Sequence, residues 1–317
     1  MQLNPITRKS ASAAILLLLI VLIATAVRSL SAPFGVELAD TPYRGRALSL
    51  VFAVLLLLFG GFVEGKMLVR SGLNRGYCTL PIPLYGVIAC GIFVAPDTLP
   101  SAVASVCLAM SLHLFLRSLH SAGEKDSIFF ASILLGTMVL FYPPAILLAG
   151  VLVLMIFALS LSIRQAMLLV LGYLLPLLTA SYVMWYKGDS LWQFWANLKE
   201  AIATPQMDAI ATTPYIAIAM AVVVAVILIW GAVYSLFRPH KMFLLARVRR
   251  ALHIFIGVLV ISLLMLLLPS CNLAILPIVA VPTAILLSLA LDILPNNHSA
   301  IAYWVLLVLA VLHLFIE

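Results

Sequence analysis

From Ser127 to Ile163 the chain runs 37 residues without a single Asp, Glu, Lys or Arg. As one α-helix that stretch would be about 55 Å long, nearly twice the roughly 30 Å hydrocarbon core of a bilayer. Pro143-Pro144 lies near its middle. A proline removes a backbone donor and clashes with the preceding turn, and it pushes the residue before it out of the α region. The segment therefore reads as two apolar helices joined by a tight hairpin. Composition decides which solvent they face. Of 317 residues, 65% are apolar and 9% are charged, against roughly 25% charged in soluble domains. No soluble fold has enough polar side chain at that ratio to cover its surface, so the exterior must face lipid.

Runs of about twenty apolar residues suffice to cross a bilayer. They predict an all-α, polytopic transmembrane bundle in a single domain, 1–317, with about eleven spans. These are 11–28, 47–64, 80–96, 101–117, 127–143, 145–163, 165–186, 214–236, 251–269, 272–291 and 300–316. The third is short and carries Pro81 and Pro83. Loop charge orients the bundle. With the N-terminus inside, thirteen of the 18 Lys and Arg residues fall on the cytoplasmic side, including Lys66, Arg70, Arg75, Arg164 and the cluster Arg238 to Arg250. Five fall outside: Arg28, Arg44, Arg46, Lys187 and Lys199. That asymmetry is the positive-inside bias and gives an N-in, C-out topology in the inner membrane. Fusing the two helices around Pro143-Pro144 would send Arg164 and the basic cluster to the wrong side.

The same bias accounts for the net charge of +7, and no basic, aromatic-rich solvated stretch suggests nucleic acid. The apolar run from Ala11 to Val27 is longer than a signal-peptide core and reads as an uncleaved first helix. The four cysteines, Cys78, Cys90, Cys107 and Cys271, show no CxxC spacing and read as small buried hydrophobes rather than a disulfide or metal set. The six histidines show neither HxxxH nor HExxH spacing. No metal, cofactor, P-loop, dinucleotide fingerprint or GxSxG motif is expected.

Span interiors hold essentially no ionisable groups, with Glu64 and Asp292 read as sitting at helix ends. Ion-coupled carriers keep such groups at depth, which moves the search for chemistry to the outside segments, 29–46 and 187–213. In the first, Glu37 and Asp40 are three apart, so one helical turn would set both carboxylates on one face. Arg44 and Arg46 follow. Carboxylates serve as a general base or metal ligand, and arginines clamp phosphate oxygens. Glu37 and Asp40 are thus the candidate catalytic pair and Arg44 and Arg46 the candidate substrate-binding pair, against the plainer reading of a solvated loop. In the second segment Leu191, Phe194, Trp195, Leu198 and Ile202 recur at helical spacing. They predict an amphipathic helix in the interface, as an anchor or as a lid over a lipid substrate.

The stretch Phe141-Tyr142-Pro143-Pro144-Ala145, followed by Ser162-Ile163-Arg164-Gln165 and Leu171-Gly172-Tyr173-Leu174-Leu175-Pro176, resembles a family of polytopic inner-membrane proteins of the Bacteroidota with a domain of unknown function. Some of its members are labelled carotenoid oxygenases, but the histidine constellation of such enzymes is absent here. The layout is also similar to membrane-embedded C-type glycosyltransferases, which have an inside N-terminus and acidic residues in the first outside loop; Glu37 and Asp40 match that placement. The resemblance implies a cell-envelope role on lipid or lipid-linked glycan, with membrane lipids and a lipid-linked substrate as partners. A non-enzymatic scaffold or subunit of an envelope complex and a small-molecule carrier are the alternatives, so whether the chain is an enzyme stays open.

Overall fold

The structure, a computed structural model, describes residues 15–16, 19–20, 43–70, 80–91, 98–118, 125–204, 215–237, 246–266, 268, 270–271, 275–294 and 296–316. Those residues form eleven α-helices and one 3₁₀ segment, with no strand among them. In chain order they are α1 (Tyr43–Arg70), α2 (Pro81–Gly91), α3 (Thr98–Ser118), α4 (Lys125–Phe141), the 3₁₀ segment Pro143–Leu148, α5 (Ala149–Leu159), α6 (Ile163–Tyr186), α7 (Gln193–Ala203), α8 (Tyr215–Phe237), α9 (Ala246–Met265), α10 (Leu276–Ile293) and α11 (Asn296–Ile316). Among the described residues, three stretches are long and apolar enough to cross a membrane: Leu99–Ser118, Ile163–Tyr186 and Leu276–Ile293. Shorter apolar helical stretches occupy Asp126–Phe141, Pro143–Ala158, Ala219–Val233 and His298–Leu309. Of the first predicted span, 11–28, only four residues are described, two of which, Leu16 and Ile20, pack into the core.

Helix α10 is the central post. Every residue from Leu276 to Leu291 is buried, and it packs against α1, α2, α3, α8, α9 and α11. A helix apolar all round is stable only when enclosed or in lipid, and α10 is enclosed. Helix α6 is the opposite case. Its sequence is as apolar, yet Met167, Leu171, Leu175, Leu178 and Tyr182 form an exposed stripe at helical spacing. Similar apolar exposure continues on α1 (Phe52, Leu55, Phe59), α8 (Val222, Val226, Ile229) and α9 (Val260, Leu263, Leu264). Apolar surface on that scale is foreign to water-soluble monomers and marks a membrane-facing exterior.

The prolyl segment breaks the chain as its sequence predicts. Tyr142 is extended (φ −133°, ψ 91°), and Pro143 opens the 3₁₀ turn. Two glycines fix the relative direction of the helices on either side of this break. A Cβ on Gly172 of α6 would meet Ser132 and Phe129 of α4, and one on Gly136 of α4 would meet Tyr173 and Pro176 of α6. Residue numbers rise together along the two helices, so α4 and α6 run in the same direction. The chain between them must therefore run back. The 3₁₀ segment and α5 together span about 28 Å, and the return leg packs on α9. There Gly150 meets Ile261 and Gly257 meets Leu154, an antiparallel pairing. The second reversal is made by Ser160, in the left-handed region at φ 50°. Gln165 then accepts the Ser162 backbone N–H at 3.1 Å and starts α6. Lipid offers no hydrophobic gain for helix association, so small residues that let backbones approach carry much of the packing. Gly136 and Gly172 do so between α4 and α6, and Gly231 does so against Ala290 between α8 and α10.

Candidate functional site

The sequence-predicted residues are only partly placed. Glu37 and Asp40 lie outside the described residues. Arg44 and Arg46 fall in the first turn of α1.

The predicted amphipathic helix is present as α7. Ser181 at the end of α6 donates to the Leu191 carbonyl at 2.6 Å, which pins the connecting turn. Gly188 in that turn has φ +104°, a conformation that favours glycine. Leu198 is buried, and Phe194, Trp195 and Ile202 pack against the core. The apolar face thus lies on the protein, over α6 and the 3₁₀ segment. Leu191 departs from the predicted stripe and is exposed, because the turn ends just after it. Around this junction Tyr182, Trp185, Tyr186 and Trp192 stand exposed. Aromatic side chains with one polar atom suit the headgroup layer of a bilayer.

Tyr142 of the prolyl turn lies beside Cys271. Burial pushes the Cys271 thiol up, and a hydrogen bond with Tyr142 acts against that shift. Cys107 and Cys271 are both free and buried.

A separate groove of about 480 Å³ lies between α3 and α4. Leu114, Phe130, Ile133 and Leu134 form its apolar wall, with Arg117, Asp126 and Ser127 at its polar edge.

The most isolated polar group in the described structure is one that the sequence reading discounts. The sequence reads Glu64 at a helix end; α1 instead continues to Arg70, leaving Glu64 nearly two turns inside the helix. Its side chain is 0% exposed, and neither carboxylate oxygen has a hydrogen-bond partner. An ion in such a place, unpaired, costs several kcal/mol. The surroundings are tightly built. A Cβ on Gly60, one turn before Glu64, would stand 3.0 Å from the Tyr85 hydroxyl of α2, and one on Gly65 would stand 2.9 Å from Ile82. Tyr85 in turn hydrogen-bonds Ser105 of α3 at 2.6 Å. The signal available in the sequence is Gly60-Gly61 followed by one acid within an apolar run. Such small residues mark a close helix seam, and an acid beside it cannot reach the solvent.

The enclosed post, the lipid-compatible exterior and the aromatic rim define an all-α membrane protein. The chain belongs to a family of unknown function, DUF6427, which it matches over residues 12–317. No curated protein and no solved structure matches it.

Proposed function

We propose that the chain is an eleven-span inner-membrane protein, N-in and C-out, that acts at the outer face of the envelope on lipid or lipid-linked glycan, in the manner of C-type glycosyltransferases. The observation that supports this reading is α7. A helix docked by Phe194, Trp195, Leu198 and Ile202, with exposed Trp192, Tyr186 and Trp185 at its edge, is a platform at headgroup level. Positive-inside counting sets this platform outside, on the same side as the loop 29–46. There Glu37 or Asp40 would activate the acceptor as a general base, and Arg44 and Arg46 would hold phosphate oxygens.

The test is direct binding and function. Full-length protein in nanodiscs is titrated with a polyprenyl phosphate, and cells lacking the gene are complemented for envelope glycan composition. Changing both Arg44 and Arg46 to Ala should weaken binding roughly tenfold or more, a value in keeping with two charge-assisted contacts. Changing Glu37 and Asp40 to Ala should leave binding and membrane level intact while abolishing complementation. Full complementation by that double variant, with a stable co-purifying protein, would replace this reading by the scaffold one. A carrier is favoured by a different observation, the buried acid at Glu64.

A further inference from the structure

We propose that Glu64 is a buried proton-binding site, its carboxyl protonated when the seam of α1 with α2 and α3 is shut and releasing that proton when the seam opens. This goes beyond the outer-face reading and does not depend on it.

Three observations carry the inference. Glu64 is 0% exposed, and both its carboxylate oxygens lack a partner. Acids buried within membrane helices are rare and mark ion pathways or proton relays. A purely structural acid would be expected to hold a hydroxyl, an amide or an arginine, and this one holds none. Among the described elements, those that pack most against α1 are α2, α3 and α10. Their described titratable groups are Tyr85 on α2, Cys107, His113 and Arg117 on α3, and Asp292 on α10. On α1 itself Lys66 is exposed, two residues further on. None of these is within hydrogen-bonding distance of the Glu64 carboxyl.

The same bareness selects the ligand. A metal cation needs several oxygen donors around it, whereas Glu64 brings its two oxygens alone. Among the described residues no three His, Cys, Asp or Glu side chains gather. A proton needs only one carboxylate oxygen. An O–H bond forms there with a proton from water, the charge disappears, and the neutral acid is far less costly to enclose. Release reverses the step: the O–H bond breaks, the proton returns to water, and no electrons move. Since the shut seam contains no partner for the anion, release needs water at the site. Gly60 and Gly65 face Tyr85 and Ile82 with no side chain of their own to interlock there. Proton release and seam opening are therefore one event.

Full-length protein in lipid nanodiscs is treated with dicyclohexylcarbodiimide, which modifies protonated carboxyls in apolar surroundings, and the adduct is mapped by mass spectrometry. Glu64 should react at neutral pH roughly tenfold or more faster than the other carboxyls, and more slowly as pH rises. In infrared spectra of the wild-type protein, a protonated-carboxyl band should shift in deuterated water and fade at high pH; Glu64→Gln should lack it. Because labelling and deuterium exchange are read on the wild type, they stand even if the variant fails to fold. An unmodified Glu64 at neutral pH would overturn the proposal. So would protection by sodium at constant pH, which would indicate a cation site. A band indifferent to both pH and deuterium would also overturn it, leaving a neutral acid sealed in place.

Discussion

At Gly136 a single methyl group decides whether two helices can touch. A Cβ there would collide with the Tyr173 carbonyl oxygen and stand 2.6 Å from the Pro176 ring. Neither neighbour is a flexible chain end. Backbone must move, so Gly136→Ala should separate α4 from α6 and lower the thermal midpoint in detergent, with a loss of about 1–3 kcal/mol or more. Gly257→Ala is the control. The three atoms nearest its Cβ all belong to the Leu154 side chain, whose closest methyl can swing aside, and a near-normal midpoint is expected; equal loss from both variants would refute the distinction. Gly136 and Glu64 are alike in one respect. Both are special because of what surrounds them, and hydropathy counting sees neither. It registers Glu64 as the polar end of a run because two glycines and a lysine flank it, whereas burial depends on which face of α1 meets α2.

At the scale of elements, the parallel course of α4 and α6 makes a testable claim about sidedness. Single cysteines at Lys125 and Arg164, in a background lacking the native cysteines, should react with a membrane-impermeant maleimide from the same side. A cysteine at Lys187 should react from the opposite side. Labelling of 125 and 164 from opposite sides would mean that the Pro143–Leu159 leg does not return across the bilayer. Most of this course is legible from residue order: two prolines in a charge-free stretch, a lone Arg164 and a period-3.6 stripe around Phe194 already imply a break, a reversal and a surface helix. Residue order does not tell where α7 lays its stripe. An apolar face can sink into lipid or dock on protein, and the same residues satisfy both. Docking follows from the partner surface offered by α6 and the 3₁₀ segment, which is a tertiary fact. The candidate residues Glu37 and Asp40 are legible only as a spacing. Spacing predicts a shared face only once a helix is present.

For the whole molecule, burial is distributed very unevenly. Of the residues in Leu276–Ile293, 89% are buried, and in the most apolar part of Ile163–Tyr186 only 33%, although both are similarly apolar. Hydropathy cannot separate them, because lipid and protein interior are equally free of water. A mutation scan should separate them at once. Leu→Asn changes at Leu287 or Leu291, both buried, should abolish stable accumulation. The same change at Leu171 or Leu178, both exposed, should cost membrane insertion energy but leave the bundle's midpoint close to normal. Equal sensitivity at the four sites would deny α10 its central place. That central place has a consequence for how the protein is made. The helix that six others lean on is encoded after α1 to α9, so these leave the ribosome before the post they will surround exists. Pairings such as α4 with α6 and α5 with α9 can form before then, but the surfaces that α10 covers stay open until residue 293 is translated. The newborn chain should therefore carry an unfilled centre through most of its synthesis, the interval in which membrane chaperones and quality-control proteases have access to it. The centre closes late.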